Sequence, residues 1–249
     1  MEKSELFGVP VALGGREELL TEVLALLDTG GVVATVNATM LEHARTHPSF
    51  RHTLSDMSVC IPDGQGVVRA LRSRGRHTDA LAGVELGLLI LAARHGLRLA
   101  LYGAKPGVAE RAAEAILTLS PATEIVYVRD GYRHTPFEVA RDLSALCPDL
   151  VYLCLGSPKQ EEIAKMLSHI LPHALIIGLG GSFDVWSGEK KRAPLKMQQL
   201  GLEWLWRMVR EPRRILKLPM LLSFSLHAFL EEVHTKSTKT QRKSIRGRK

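Results

Sequence analysis

Apolar residues in this chain fall into short unbroken runs: GVVATV (31–36), SVCI (58–61), LRLALY (97–102), EIVYV (124–128), LVYLCLG (150–156) and ALIIGLG (174–180). Strands covered on both faces read this way, because each face needs apolar side chains and the alternation of a half-exposed strand disappears. Between these runs, apolar positions recur at helical spacing over 16–28, 39–47, 64–73, 83–95, 106–118, 136–146 and 159–170. Strand–helix alternation predicts an α/β fold: a mostly parallel sheet with helices on both faces, and ligands at the carboxyl ends of its strands.

Past Asp184 the pattern changes. GLEWLWRMVREPRRILKLPMLLSFSLHAFLEEVH is helical in period, rich in Arg, Trp and Leu, and interrupted at Pro212 and Pro219. The chain therefore divides into an α/β unit over 1–194, a helical basic C-terminal appendage over 195–233, and a tail over 234–249. The tail has almost no apolar content and is expected to be disordered.

Composition adds little until charge is placed along the chain. The 249 residues are 45% hydrophobic and 24% charged, ordinary for a globular protein with one large core. The formal charge of +7 is lopsided: residues 190–249 hold 16 Lys/Arg against 4 Asp/Glu, and the rest 17 against 22. A mildly acidic body thus carries a strongly basic end, which seeks phosphate on lipid, nucleic acid or substrate. Cys60, Cys147 and Cys154 lack metal-ligand spacing and read as reduced core residues of a cytosolic protein. The opening MEKSELFGVPVALGG lacks a signal-peptide core, and no run reaches the roughly 18 apolar residues that span a bilayer.

Several strand ends carry polar residues or glycines. TVNATM places Thr35, Asn37 and Thr39 where the first run becomes loop; IPDGQG places Asp63 and Gly64 after the second. YGAKPGVAE, GSPKQEE and GLGGSFDVWSGEKKRAP follow later runs, and glycines ahead of a helix N-terminus suit a diphosphate. None reproduces the dinucleotide fingerprint with its acidic residue about 20 positions on, which disfavours an oxidoreductase or methyltransferase. Asp63 stands at a strand-to-helix turn. It is there either as a helix cap or as a site carboxylate at the sheet's edge; the motif alone admits both.

TVNATMLEHARTHPSFRHTLSDMSVCIPDGQGVVRALR resembles the signature of the WecG/TagA/CpsF glycosyltransferases (glycosyltransferase family twenty-six). LYGAKPGVAERAAE, RDGYRHTPFEVARDL, PDLVYLCLGSPKQEE, IIGLGGSFDVWSGEKKRAP and GLEWLWRMVREPRRILK follow in the family's order, so the likeness spans about residues 10–220. It implies a Rossmann-like domain with an appendage that meets the membrane and helps close the site. The implied reaction is inverting transfer of a sugar (N-acetylmannosamine, a uronic acid or similar) from a uridine diphosphate donor to an undecaprenyl-diphosphate-linked saccharide. Its place would be the cytoplasmic face of a bacterial membrane, in cell-surface polysaccharide synthesis.

The resemblance gives Asp63 the role of catalytic base. It gives Thr35, Asn37, Gly64 and Gln160 roles in substrate binding, and it aims Arg207, Arg214 and Lys217 at the diphosphate. Lys217 stands where the family usually has Arg, keeping charge but losing the planar fork. Gly103, Gly156, Gly180 and Asp184 are the candidate donor-binding positions. No acidic pair has metal-ligand spacing, so neither metal nor cofactor is expected, and cations would offset the leaving group's charge. Where the family usually has an arginine ahead of G-x-[DE]-L, this chain has Ala80, with Arg76 and His77 as nearby substitutes.

Residues 214–230, too short to span a bilayer, suit an interfacial helix on anionic lipid, and the seven cations after Glu232 would add a second anchor. The alternative is the same helix packed on its own core or in a homo-oligomer interface. The remaining alternative is a catalytically impaired relative that binds membrane or nucleic acid through its basic tail; for the enzyme, no nucleic acid partner is expected.

Overall fold

The computed structural model describes residues 1–231. The expected tail over 234–249, the last residues of the expected appendage and the seven cations after Glu232 lie outside them.

Eight strands form one sheet in the order β1-β2-β4-β3-β8-β7-β5-β6, parallel throughout except where β1 meets β2. The chain opens with a hairpin the periodicity did not predict: β1 (Lys3–Leu6) and β2 (Val9–Ala12). Its two-residue turn puts Phe7 at φ 53° and Gly8 at φ 80°, the primed geometry that matches strand twist. Phe-Gly is not the usual Asn-Gly signal, so the turn was not legible. Phe7 accepts this backbone while its ring is buried.

Then follow α1 (Arg16–Thr29), β3 (Gly31–Val36), α2 (Ala38–Thr46), α3 (Pro48–Ser55), β4 (Val59–Pro62), α4 (Gln65–Arg72) and α5 (Gly83–Ala93). The second half contains β5 (Arg98–Gly103), α6 (Val108–Leu119), β6 (Glu124–Arg129), α7 (Pro136–Leu146), β7 (Leu150–Cys154), α8 (Lys159–Ile170), β8 (Leu175–Gly178) and α9 (Ser182–Trp186). The expected helix over 39–47 stops because His47 precedes a proline and turns extended, at φ −124°; Pro48 then starts α3. The last two parallel strands end earlier than expected, since Gly156 (φ 76°) and Gly180 (φ 62°) leave the extended region.

The sheet divides two apolar layers, and its strands feed both. Val32, Ala34 and Val36 face one layer with α2, α3, α4, α7 and α8; Val33 faces the other with α1, α5, α6 and α9. That two-sided burial is why five of the runs showed no alternation; β6 is the exception, an edge strand paired only with β5, in which Tyr127 alone is buried. Cys60 and Cys154 are core residues as expected, but Cys147 is exposed, because it closes α7 in the left-handed conformation.

The C-terminal segment contains α10 (Leu195–Gln199), α11 (Glu203–Arg210), a 3-10 turn (Pro212–Lys217) and α12 (218–231). It folds back over the body. Phe224 and Ala228 of α12 join the layer of α2 and α3, with the Phe224 ring edge-on to Phe7 at 5.7 Å. Around this anchor the contacts are polar: Ser223 donates to Glu42 at 2.6 Å, and Arg74 pairs with Glu231.

Candidate functional site

The chain leaves β3 toward the α2 layer and leaves the adjacent β8 toward the α9 layer, so a crevice opens between their carboxyl ends. Thr35 ties this point together, its hydroxyl donating to the Gly178 carbonyl at 2.8 Å. The C-terminal segment covers the adjoining strand ends and encloses a cavity of about 500 Å³. Residues following β3 and β4 form its floor, and α11, the 3-10 turn and Leu221 form its roof.

Asp63 lines this cavity. Its backbone N–H donates to the Val36 carbonyl at 2.8 Å, fixing the residue beside the end of β3. Its carboxylate does not cap α4, whose N-terminus has no side-chain cap, and among the described residues it takes no hydrogen bond or ion pair. The capping alternative is therefore excluded. Burial pushes its carboxyl up to about 6; Glu203 and Glu85 add to the rise, and Arg207 and Arg192 oppose it. A carboxylate so placed is ionised at neutral pH yet basic enough to receive a proton.

Asn37 does two things. Its Oδ1 caps α2, accepting from Thr39 N at 3.1 Å and Met40 N at 3.2 Å, while the residue lines the cavity with an amide NH2 left to donate. Gly64, at φ 94°, has open space where a side chain would stand, which keeps the mouth beside Asp63 clear. From the roof come Arg207, Arg214 and Lys217. Arg207 pairs with Glu203, and Arg214 with Glu211 at 3.0 Å. Burial, and then the Arg214 charge, pull the Lys217 ammonium below lysine's usual value.

Other expected positions are not gathered here. Thr35 is buried with its hydroxyl engaged. Gln160 is buried as well: its Nε2 donates to Glu161 at 2.7 Å and its Oε1 accepts from Gly180 N at 3.1 Å, so it braces the loop after β8. Gly103 is required by packing, since a side chain there would stand 2.4 Å from the Cys154 carbonyl. Gly156 and Gly180 supply positive φ, and Asp184 pairs with Lys190 at 2.8 Å. None of these lines the cavity. Nor do the two substitutes considered for Ala80: Arg76 reaches outward to Glu2 at 2.8 Å, and His77 is exposed. Sequence reading missed Arg16, Glu85, Arg192 and Glu203, all on the cavity wall. Only the net charge of the C-terminal end hinted at any of them.

The profile of the glycosyl transferase WecG/TagA/CpsF family matches residues 4–238. An N-acetylglucosaminyldiphosphoundecaprenol N-acetyl-beta-D-mannosaminyltransferase of Bacillus subtilis is 35% identical over 211 residues, 84% of this chain and 82% of that protein. A protein of the same name from Bacillus spizizenii is 36% identical over 196 residues, 76% of each chain.

Proposed function

The chain belongs to the WecG/TagA/CpsF family of glycosyl transferases, and on that premise we propose that it moves N-acetylmannosamine from a uridine diphosphate donor to an N-acetylglucosamine carried on a polyprenyl diphosphate. The acceptor hydroxyl attacks the anomeric carbon while its proton passes to the Asp63 carboxylate. The bond from that carbon to the phosphate oxygen breaks, and uridine diphosphate departs with the electron pair. Attack opposite the leaving group inverts the anomeric centre. Arg207, Arg214 and Lys217 offset the charge gained by the departing diphosphate. Asn37 donates to a sugar oxygen, and Thr35 and Gln160 support the site from behind by fixing β3 to β8 and the loop after β8.

The observation that carries this reading is Asp63 itself: a carboxylate without a partner, raised to about 6, in a cavity roofed by cations. The surface of the segment supports the lipid-borne acceptor. Leu216, Leu222, Leu226, Phe229 and Leu230 are each more than half exposed on the same segment that holds the cations. Such a face beside positive charge suits an anionic membrane, met from the cytoplasmic side. Among the described residues no helix is long and apolar enough to cross a membrane.

The test is a transfer assay with uridine diphosphate N-acetylmannosamine and a short-chain prenyl-diphosphate N-acetylglucosamine, run on the wild type and Asp63→Ala. Turnover in the wild type, lost in a variant that still folds, is the expected result. Equal turnover in both would remove Asp63 from its role.

A further inference from the structure

Five cations line the cavity (Arg16, Arg192, Arg207, Arg214 and Lys217) against three carboxylates (Asp63, Glu85 and Glu203), so the wall is positive by two. Three of the cations belong to the C-terminal segment. The other two come from the body and meet at one carboxylate. Arg16, the first residue of α1, donates through Nη2 to Glu85 Oε2 at 2.8 Å; Arg192 approaches the other oxygen, Oε1, at 2.9 Å. Burial works against ionisation of Glu85, but these two guanidiniums more than offset it and hold its carboxyl below the usual value.

Two guanidiniums on one carboxylate leave a positive charge unmatched. The geometry also leaves donors over: Nε of Arg192 is buried without a hydrogen-bond partner. Arg16 in addition donates through Nη1 to the Ala80 carbonyl at 3.0 Å. Its head group thus lies along the wall at position 80, where Ala80 also lines the cavity. Three segments distant in sequence converge there: 16, 80–85 and 192.

We propose that Arg16 and Arg192, held in place by Glu85, form a second anion-binding wall of the cavity that grips a diphosphate of the substrates. This rests on the transferase reading for which diphosphates are present, not for the wall itself. A paired guanidinium presents its remaining N–H groups as a preset fork, which suits phosphate oxygens. Glu85 acts here as a positioning residue. It holds both side chains against the wall, so little rotamer freedom is lost when the anion arrives.

The test measures binding, with turnover alongside. Uridine diphosphate and the short-chain prenyl-diphosphate N-acetylglucosamine are titrated separately by calorimetry into the full chain, as wild type, Arg16→Gln, Arg192→Gln and Arg76→Gln. Loss of one charge-assisted contact weakens binding roughly ten- to a hundredfold, and which probe suffers tells whether the wall holds the donor's diphosphate or the lipid's. Arg76→Gln, outside the cavity, should bind as the wild type does. Should Arg16→Gln fail to fold, Arg16→Lys keeps the charge without the fork and should weaken the same probe severalfold. Unchanged affinity for both probes in the folded Arg16 and Arg192 variants, or an equal loss in Arg76→Gln, overturns the wall. If the wild type transfers no sugar while the variants still lose affinity, the transferase reading falls and the wall stands. A wild type that binds neither probe overturns both.

Discussion

Every residue of β4, β7 and β8 is buried, whereas α11 buries none. The two regions face each other across one cavity, and different forces hold them. The body is an apolar sandwich whose strands serve both layers. Among the described residues the segment buries Phe224 and Ala228 against the body, and ions and single hydrogen bonds add to this anchor. Lys190 bridges Asp184 at 2.8 Å and Glu211 at 3.5 Å; Arg69 reaches the Leu200 carbonyl at 3.3 Å; Trp206 reaches the Lys191 carbonyl at 3.4 Å. Exposed pairs of this kind are weak and screened by salt. The floor of the site is therefore the more strongly held side, and of the two regions the roof should open at lower cost.

The largest expected effect falls on the seam between the two. Asp63→Asn should lower turnover about 10²- to 10⁴-fold, the usual contribution of a positioned base, with the fold intact. The same substitution should raise the melting temperature by roughly 3 °C at pH 8. The sign follows from the raised carboxyl: the folded state favours the acid form, so the cost of charging Asp63 is fully present above pH 6. That cost fades as pH falls toward the ordinary value of 3.8, and the gain should vanish below about pH 4. A variant no more stable at pH 8 than the wild type would mean that Asp63 is not strained by burial.

The next pair of variants separates the regions directly. Leu101→Ala, at a fully buried position on β5, should cost about 2–5 kcal/mol and lower the single melting transition of the whole body. Phe224→Ala should instead release amide protection over 218–231 in hydrogen exchange and leave the sheet strands protected. If Phe224→Ala lowered protection in β7 and β8 as much as in α12, the two regions would form one cooperative unit, and the contrast would fail. Deleting everything after residue 195 should leave α/β circular dichroism in place and abolish binding to anionic vesicles.

The pH profile is a subtler check. kcat/KM should fall about tenfold per unit below pH 6, as Asp63 takes up its proton. An acid limb near 4 would point to a carboxylate in open water. The smallest effect is that of Ser223→Ala, which removes the 2.6 Å hydrogen bond to Glu42. About 1 kcal/mol of docking should appear as faster exchange in α12 alone.

What could be read in advance follows the same division. The six apolar runs became six parallel strands; in all but β6, which ends the sheet with only Tyr127 buried, covering both faces demands apolar side chains along the strand. The hairpin at 3–12 was not legible, since its turn needs only two residues with positive φ and carries no Asn-Gly signal. Asp63 was visible as a carboxylate at a strand-to-helix turn, yet its two meanings parted only when α4 proved to have no side-chain cap. Thr35 and Gln160 looked like groups for a sugar, and the structure occupies both with backbone and neighbouring side chains. Arg16 and Arg192 went unremarked because nothing local distinguishes a surface arginine from one that will meet Glu85.

The sequence by itself determined the α/β class, the family and the basic character of the C-terminal end, since these are written in local pattern and in long motifs. Tertiary structure alone decided which polar groups share a cavity. It set a turn after β4, the start of α1, the loop before α10 and the roof of α11 around one space. Proximity between residues 16, 63, 85, 192 and 207 is a property of how layers stack, and stacking is fixed by burial of residues that are not themselves in the site.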